Sequence, residues 1–356
     1  MDKLILKLKM KKFDKSNLYQ SIIDLHKQCT HAYQDAQKVN IPNSYKQINK
    51  ILIAGMGGSG LGARAIKSIY HQKLKYPILR LNNYKLPQWV DDKTLVICSS
   101  YSGSTEEIVN VAKQCVEKKL KWMAIATGKD VLKLAQKHRV PIYNINPKYN
   151  PSGQPRMAIG YSLVGQLVLI SKTGAITFTK KDLDLVVKTM ESIVSKNNLE
   201  VKPSNNSAKQ LAKLIIDKQV IFSACEHLAR TTHTIKNQMN ENAKHLAHRH
   251  DIPELNHHLM EGLKFPQTNQ EDIFFLLFQS SLYHPRNQKR VKITQKVLSK
   301  NNIDSFIYQP QSSTRISQAF EIIQFGAFVN FYLTLEHNLD PAPIPWVDYF
   351  KAKMKE

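Results

Sequence analysis

The chain alternates short apolar runs with helix-like segments, and two of the strand-to-helix junctions are rich in glycine and serine. The apolar run 51–54 leads into Gly-Met-Gly-Gly-Ser-Gly at 55–60, and the run 94–98 leads into Ser-Ser-Tyr-Ser-Gly-Ser-Thr at 99–105. Strands that alternate with helices form parallel sheets covered by helices on both faces. Ligands of such sheets bind at the carboxyl ends of the strands, which is where both loops fall.

The same alternation extends over both halves of the chain. Strand-like runs occur at 51–54, 77–81, 94–98, 121–126, 141–145, 219–223, 273–278 and 303–308. Helix-like segments occur at 60–72, 105–119, 130–138, 226–244, 286–300 and 314–337. We therefore predict an α/β protein of two domains, 1–175 and 176–356, each a parallel sheet flanked by helices on both faces.

Composition and charge limit the classes of protein to consider. Hydrophobic residues make up 42% of the chain and charged residues 22%, which is typical of a globular protein and not of a disordered one. The net charge of +23 raises the local concentration of anionic substrates. The lysines are dispersed, without a dense basic run that includes aromatic residues, so we expect no specific nucleic-acid partner. A basic nucleic-acid-associated protein nevertheless stays an alternative.

Cysteine spacing and hydropathy indicate in which cellular compartment the protein is expected. The four cysteines have no paired or metal-type spacing, which indicates free thiols in a reducing cytoplasm. Lysines interrupt the apolar residues of segment 1–12, and the largely apolar stretch 157–170 is too short to span a membrane. The histidines within 245–258 have no nearby cysteine and no metalloprotease motif. We expect a cytoplasmic protein with no membrane partner and no metal.

The two loops can bind an anion through backbone N–H groups and hydroxyls at helix N-termini. Two such loops without a phosphate-loop lysine favour a compact phosphate monoester over a nucleotide. The spacing of Gly55, Gly57 and Gly60 also matches the dinucleotide fingerprint, but no Asp or Glu lies between 71 and 90 to bind a ribose hydroxyl. Arg80 can face a 2′-phosphate instead, so an NADP site stays open as an alternative.

The loops resemble the sugar isomerase (SIS) domain, in which Gly-Gly-Ser-Gly and Ser-x-Ser-Gly-x-Thr-x-Glu turns bind a sugar phosphate. Further motifs resemble the bifunctional phosphoglucose/phosphomannose isomerase family of archaea and bacteria. They are Pro-Arg at 155–156, Met-Asn-Glu-Asn-Ala-Lys at 239–244, Ile-Pro-Glu-Leu-Asn-His at 252–257, and Asp-Pro-Ala-Pro-Ile at 340–344 with Lys351 beyond. The resemblance runs from about residue 50 to the C-terminus. It implies two SIS-type domains, interconversion of glucose 6-phosphate and mannose 6-phosphate with fructose 6-phosphate, and no cofactor.

The resemblance also implies a role for individual residues. The residues that hold the substrate phosphate would be Gly57, Gly58, Ser59, Ser100, Ser102 and Thr105. Glu241 would move the proton between C2 and C1, and Arg156 would stabilise the enediolate. His257, assisted by Lys351, would open the sugar ring. In the family this histidine reaches the site from the other subunit, so we expect a homodimer with His257 contributed across the interface.

The chemistry of an aldose–ketose isomerase requires groups of these types. A base must carry a proton between neighbouring carbons, and a positive charge must lie near the enediolate. On spacing alone, Glu241 is equally explained as a surface glutamate paired with Lys244. A non-catalytic SIS-type sensor of sugar phosphates is therefore kept as an alternative. Ser104, His258 and Ala327 depart from the family pattern, which leaves the substrate preference open.

Overall fold

The first half of the chain forms a five-stranded parallel sheet in the computed structural model, which describes residues 3–354 and 356. Its strands are β1 (Lys50–Ala54), β2 (Ile78–Leu81), β3 (Thr94–Ser99), β4 (Lys121–Ala126) and β5 (Ile142–Asn144). Their spatial order is β2-β1-β3-β4-β5. The predicted strands of this half are confirmed, with ends that differ by a residue or two.

The second half forms a four-stranded parallel sheet. Its strands are β6 (Gln219–Ala224), β7 (Ala247–Asp251), β8 (Ile273–Phe278) and β9 (Asp304–Tyr308), in the order β7-β6-β8-β9. The sequence prediction includes β6, β8 and β9 but omits β7, which reads Ala-His-Arg-His-Asp. This strand lies at the edge of its sheet and only its Ala247 is buried, so the strand does not need the apolar run that marks a central strand.

Helices flank both sheets. In the first half they are α1 (Lys3–Phe13), α2 (Leu18–Ile23), α3 (Leu25–Gln37), α4 (Leu61–Ile69), α5 (Glu106–Glu117), α6 (Lys129–Lys137) and α7 (Ile159–Lys172). The following helices are α8 (Lys180–Asn197), α9 (Ser207–Leu214), α10 (Glu226–Ala229), α11 (Thr232–Gln238), α12 (Asn269–Asp272), α13 (Pro285–Lys300), α14 (Arg315–Glu336) and α15 (Pro345–Lys353). The α/β class predicted from the sequence is confirmed.

The sequence predicts a single helix over 226–244, and this prediction is wrong because the helix is interrupted. It is divided into α10, α11 and a five-residue π-helical turn, Met239–Ala243. The buried hydroxyls of Thr231 and Thr232 donate to the carbonyls of His227 and Ala229, at 3.4 and 2.7 Å. Hydroxyls that bond to the preceding turn compete with regular helical hydrogen bonding, which accounts for a break at this point.

Apolar side chains connect the two sheets into a shared core. Ile51 and Ile53 of β1 belong to a cluster that also contains the phenylalanines of β6 and β8, whereas Leu52 and Ala54 pack into a second cluster with α5 and α6. Helix α14 is buried along residues 316–335 and packs against α8, α9 and α11. A helix whose residues are mostly apolar all round is enclosed by the protein, which is consistent with the central position of α14. The domain division between residues 175 and 176 stays a prediction.

The order of strands in the first sheet defines where a ligand can bind. From β1 the chain passes to β2 on one side, and then to β3 on the other side of β1. Such a reversal opens a crevice at the carboxyl ends of the two central strands. The loops 55–60 and 99–105 lie at this crevice. Within the described residues, no helix has the length and apolarity that crossing a bilayer would require.

Candidate active site

The two glycine–serine loops are hydrogen-bonded to each other. The backbone N–H of Tyr101 donates to Oγ of Ser59 at 2.7 Å, which ties the second loop to the first. Ser100 Oγ lies 2.8 Å from Oγ1 of Thr105 and accepts from the N–H of Gly103 at 3.1 Å. The Ser59 hydroxyl still has a proton to donate, and so does one of the two hydroxyls in the Ser100–Thr105 pair. The structure therefore brings Ser59, Ser100 and Thr105 to one crevice.

The rest of the second loop forms a tight turn that leads into the start of α5. Gly103 has a φ of +72°, and a Cβ there would lie 1.8 Å from the carbonyl oxygen of Gly128, so only glycine fits. Ser102 is partly exposed on the same turn and accepts from the N–H of Ser104 at 3.4 Å. Thr105 precedes α5 without a side-chain cap bond, and a helix N-terminus of this kind favours negative charge.

The first loop contacts the Pro155-Arg156 segment directly. A Cβ on Gly58 would lie 2.7 Å from the carbonyl oxygen of Pro155 and 3.1 Å from the Cα of Arg156. Residues with a side chain cannot approach a neighbouring backbone so closely, which explains glycine at position 58. Gly57 has a φ of +47° and starts the same turn. The first glycine–serine loop is consequently packed directly against the backbone of the Pro155-Arg156 segment.

Arg156 is buried and held by neutral acceptors. Its side chain is 1% exposed. Nε donates to Oδ1 of Asn242 at 2.5 Å, and Nη1 donates to Oε1 of Gln154 at 2.8 Å. Nη2 donates to the carbonyls of Pro341 and Ala342, both at 2.8 Å. Because these acceptors carry no formal charge, they do not neutralise the guanidinium. Its positive charge therefore acts on the carboxylate that faces it.

That carboxylate is Glu241, which lies on the π-helical turn after α11. Its Oε2 is 3.7 Å from Nη1 of Arg156, and its side chain is 31% exposed. Burial raises the pKa of Glu241 above its ordinary value, and the cations of Arg156, Lys351, Lys236 and Lys244 counteract that rise. A π-turn is a rare geometry that recurs at functional sites. A carboxylate with a raised pKa that still meets solvent is suited to accept a proton.

The Asp-Pro-Ala segment at 340–342 is anchored beside these two residues. Nζ of Lys244 donates to the carbonyls of Asp340 and Pro341, at 3.1 and 3.0 Å, and Arg156 binds the same segment from the other side. Burial lowers the pKa of Lys244 to about 8. Helix α15 follows this segment and carries Lys351 close enough for its charge to lower the pKa of Glu241. The structure thus brings Arg156, Glu241 and Lys351 together.

His257 is not bonded to this group in the described part of the chain. It ends a 3₁₀ turn, Glu254–His257, that follows the edge strand β7, and its side chain is exposed. In the part of the chain that the structure describes, His257 makes no hydrogen bond or ion pair with Glu241, Arg156 or Lys351. The same described residues contain no group of three His, Cys, Asp or Glu side chains placed to hold a metal ion.

Comparison with known proteins shows the family. Residues 204–354 match the family described as the bacterial phospho-glucose isomerase C-terminal SIS domain. Over 346 residues the chain is 32% identical to the bifunctional phosphoglucose/phosphomannose isomerase of Caldicellulosiruptor bescii, covering 95% of this chain and 99% of that relative. The chain belongs to the bifunctional phosphoglucose/phosphomannose isomerase family. The resemblance noted in its motifs is therefore confirmed along nearly its whole length.

Other comparisons are consistent with this family. A bifunctional phosphoglucose/phosphomannose isomerase of Thermoplasma volcanium is 30% identical over 324 residues, which cover 89% of this chain and 96% of that relative. Among solved structures, a hypothetical protein of Thermus thermophilus superposes with a TM-score of 0.75 and 16% identity, covering 99% of this chain and 93% of that chain. At such low identity the superposition supports the two-sheet fold and nothing further.

The sequence does not predict which residues position the side chains of the family's motifs. Gln154 accepts from the Arg156 side chain, and Nε2 of Gln238 donates to the Arg156 carbonyl at 2.9 Å. Asn242 and Lys244 lie inside a recognised motif, yet only the folded chain reveals that they hold Arg156 and the 340–342 segment. Except for the bond between Gln154 and Arg156, which are two residues apart, these contacts join distant parts of the chain, so no local pattern marks them.

Proposed function

We propose that this protein is an aldose–ketose isomerase that interconverts glucose 6-phosphate and mannose 6-phosphate with fructose 6-phosphate. The observation that carries the proposal is the partly exposed carboxylate of Glu241 facing the buried cation of Arg156, next to the loop that contains Gly58. Membership of the isomerase family supports an enzyme over a non-catalytic sensor. Neither the proposed steps nor the proposed residues require a redox cofactor.

The loops would hold the phosphate, which takes no part in the reaction. We assign the hydroxyls of Ser59, Ser100, Ser102 and Thr105, and the backbone N–H groups of Gly57 and Gly58, to its oxygens. The crevice at β1 and β3, the helix start at α5 and the net positive charge of the chain support this assignment. Fixing the phosphate places the carbonyl end of the open sugar towards Arg156 and Glu241.

Proton transfer would proceed at Glu241. The carboxylate removes the proton from C2 of the open-chain aldose, the C2–H electron pair forms the C1–C2 double bond, and the carbonyl electrons move onto O1. The same carboxyl group returns the proton to C1, where the electrons of the double bond form the new C1–H bond, while the proton of O2 passes to O1 and O2 becomes the carbonyl of the ketose. The cation of Arg156 stabilises the negative charge of the enediolate. Mannose 6-phosphate, which differs from glucose 6-phosphate only at C2, passes through the same enediolate.

Ring opening would depend on a second subunit. We propose that the protein is a homodimer in which His257 of one subunit, assisted by Lys351, acts at the active site of the other. The exposed position of His257, and the absence of any hydrogen bond or ion pair between it and Glu241 among the described residues, support this arrangement. So does α15, whose Trp346, Tyr349 and Phe350 are 82%, 60% and 62% exposed. Aromatic side chains of this kind are enriched at protein interfaces.

The proposed compartment is the cytoplasm. All four cysteines are free and buried in the structure, as expected of a protein kept in a reducing environment. Burial raises the pKa of the Cys225 thiol to about 12 and also raises that of Cys29, which makes both thiols unreactive.

A coupled assay on the purified full chain tests the proposed function. Fructose 6-phosphate formation would be followed from glucose 6-phosphate and from mannose 6-phosphate separately. We expect Glu241→Gln to lower kcat by about 10³-fold, since general-base catalysis contributes on that order. Glu117→Gln, at an exposed glutamate at the end of α5, is the matched control and should leave kcat unchanged. Absence of turnover by the wild type with tight binding of either sugar would favour the sensor instead.

A further inference from the structure

Cationic side chains from both halves of the chain lie near enough for their charges to act on one another, and Arg80 among them lies beside the first glycine–serine loop. From the first half come Arg64 on α4 and Arg80 on β2, and from the second half come Lys236 on α11 and Arg249 on β7. Arg230 lies between α10 and α11 on the same side. None of these residues is proposed above as a catalytic or phosphate-binding residue, although the charge of Lys236 acts on the pKa of Glu241, so the cluster requires its own explanation.

Contacts between α4 and α10 fix the geometry of the cluster. Oγ of Ser68 donates to the carbonyl of His227 at 3.1 Å, which joins the two helices. Arg64 lies one turn before Ser68 and therefore projects from the same face of α4, towards α10 and α11. Arg249 reaches this region from β7, since its Nη1 donates to the carbonyl of Ala229 at 3.1 Å.

Arg80 brings the cluster to the edge of the first loop. A Cβ built on Gly60 would lie 3.4 Å from Nε of Arg80, so the guanidinium is adjacent to the loop backbone. That Nε is buried and has no hydrogen-bond partner. A buried donor without a partner is costly, and it is a common sign of a ligand or water that completes the site.

The cluster carries more positive charge than its neighbours neutralise. Asp251 pairs with Arg249 and also with Arg230, whose Nη2 lies 3.5 Å from Oδ2. Over residues 3–354 and 356, no carboxylate lies within ion-pair distance of Arg64, Arg80 or Lys236. Burial and the neighbouring arginines lower the pKa of Arg64 to about 10, and the same effects lower that of His233 to about 3. Half-buried cations without a partner repel one another, and an anion between them would relieve that repulsion.

We propose that Arg64, Arg80 and Lys236 form a binding site for a phosphoryl group of a small molecule, separate from the phosphate site of the two loops. The guanidinium groups match the bidentate geometry of phosphate, and Lys236 adds a point charge. The loop site lies between β1 and β3, whereas Arg80 is on β2, on the opposite side of β1. The half-buried position of the three cations favours a small anion over a macromolecule. The phosphoryl group can belong to free phosphate or to a sugar that carries two phosphates.

Calorimetric titration of the full chain at constant ionic strength tests the proposal. The probes are inorganic phosphate and fructose 1,6-bisphosphate, with fructose 6-phosphate for comparison. The wild type should bind two phosphate ions per chain, and Ser100→Ala/Ser102→Ala should retain one of them. The Arg64→Gln/Arg80→Gln variant should weaken phosphate binding at the site that Ser100→Ala/Ser102→Ala retains. We expect a loss of about tenfold or more in affinity, as for the loss of charge-assisted hydrogen bonds. If the bisphosphate is the natural form, the same double variant should weaken its binding but not that of fructose 6-phosphate.

A matched control separates site loss from a general change of charge. Arg139→Gln/Arg286→Gln removes the same two charges at exposed positions and should bind both probes like the wild type. If Arg64→Gln/Arg80→Gln does not fold, Lys236→Gln and Arg64→Lys/Arg80→Lys take its place and should show the same loss in smaller measure. One phosphate per chain that Ser100→Ala/Ser102→Ala abolishes, or an unaltered affinity in the cluster variants, would overturn the proposal. Because the readout is binding, it is independent of the outcome of the isomerase assay.

Discussion

The guanidinium of Arg156 lies 3.7 Å from the carboxylate of Glu241, although the two residues come from opposite halves of the chain. Arg156 follows the last strand of the first sheet, and Glu241 lies on the π-turn between β6 and β7 of the second. The pair joins the two halves at the crevice, where the buried cation meets the one carboxylate that we assign as the base. Any change that separates the two side chains should therefore impair the reaction.

The charge of Lys351 should influence the pH at which kcat/KM falls on the acid side of its pH profile. Glu241 must be deprotonated to accept a proton, so kcat/KM should fall as the pH drops through its pKa, which burial holds above the ordinary 4.5. Lys351 lowers that pKa, so Lys351→Gln should move the acid limb to higher pH and also lower kcat. Lys353→Gln on the same helix, whose lysine pairs with Glu356 at 2.9 Å, is the control. An acid limb in Lys351→Gln that coincides with the wild type would contradict this prediction.

Arg156→Lys should damage both stability and catalysis. A lysine cannot reproduce the forked contacts to Asn242, Pro341 and Ala342, and it leaves buried acceptors unpaired. We expect the free energy of unfolding to fall by about 2–4 kcal/mol, measured by urea denaturation. The value of kcat should fall by about 10²–10³-fold. Arg139→Lys, at an exposed position, should change neither quantity; a fully active Arg156→Lys enzyme would remove the arginine from the mechanism.

Gly58→Ala should move the first glycine–serine loop, residues 55–60, away from Arg156. The added Cβ would lie 2.7 Å from the backbone oxygen of Pro155, so the loop must retreat from the Pro155-Arg156 segment. Because displacements of about 1 Å are costly in catalysis, we expect kcat/KM for fructose 6-phosphate to fall by about 10²-fold. Gly262→Ala is the matched control, since a Cβ at that position meets no atom within 4 Å. Equal kinetics for the two variants would show that the loop tolerates the extra atom.

Mixing two inactive variants tests whether His257 acts across a dimer interface. Glu241→Gln and His257→Gln chains should each be inactive alone. In a mixed dimer one active site combines an intact Glu241 with an intact His257, and the other site has neither. After unfolding and refolding together, random pairing in a two-fold dimer should restore about a quarter of the wild-type activity. No recovery, with mixed dimers demonstrated by mass spectrometry, would place His257 and Glu241 in the same subunit's site.

Periodicity explains why most of the fold is predictable. The runs that become β1 and β3 are apolar throughout because helices cover both faces of the sheet, and such runs are visible in the sequence. The edge strand β7 lacks this signal, since its histidines and arginine are not buried, and the sequence does not predict it. The break between α10 and α11 is equally unpredictable. It depends on buried threonine hydroxyls that bond to the preceding turn, and burial is a tertiary property.

Some residues of the candidate site can be predicted from the sequence, and others cannot. Glycine–serine loops and the Asn-Glu-Asn-Ala-Lys segment are local patterns, so their residues can be nominated from the sequence. The residues that orient them cannot, because Gln238 and Lys244 act through contacts with distant segments. The cationic cluster of Arg64, Arg80 and Lys236 is hidden for the same reason, since its members are scattered along the chain and meet only when α4 packs against α10.

The sequence by itself determined the alternation of strands and helices, the two glycine–serine loops and the motif residues of the isomerase family. These follow from local spacing, because apolar periodicity and backbone freedom at glycine act over a few residues. Tertiary structure alone decided that Arg156 is buried, that it faces Glu241, and that Asn242 and the 340–342 segment hold it there. Burial and long-range hydrogen bonds set the charge and pKa of these groups, and both depend on which distant segments pack together.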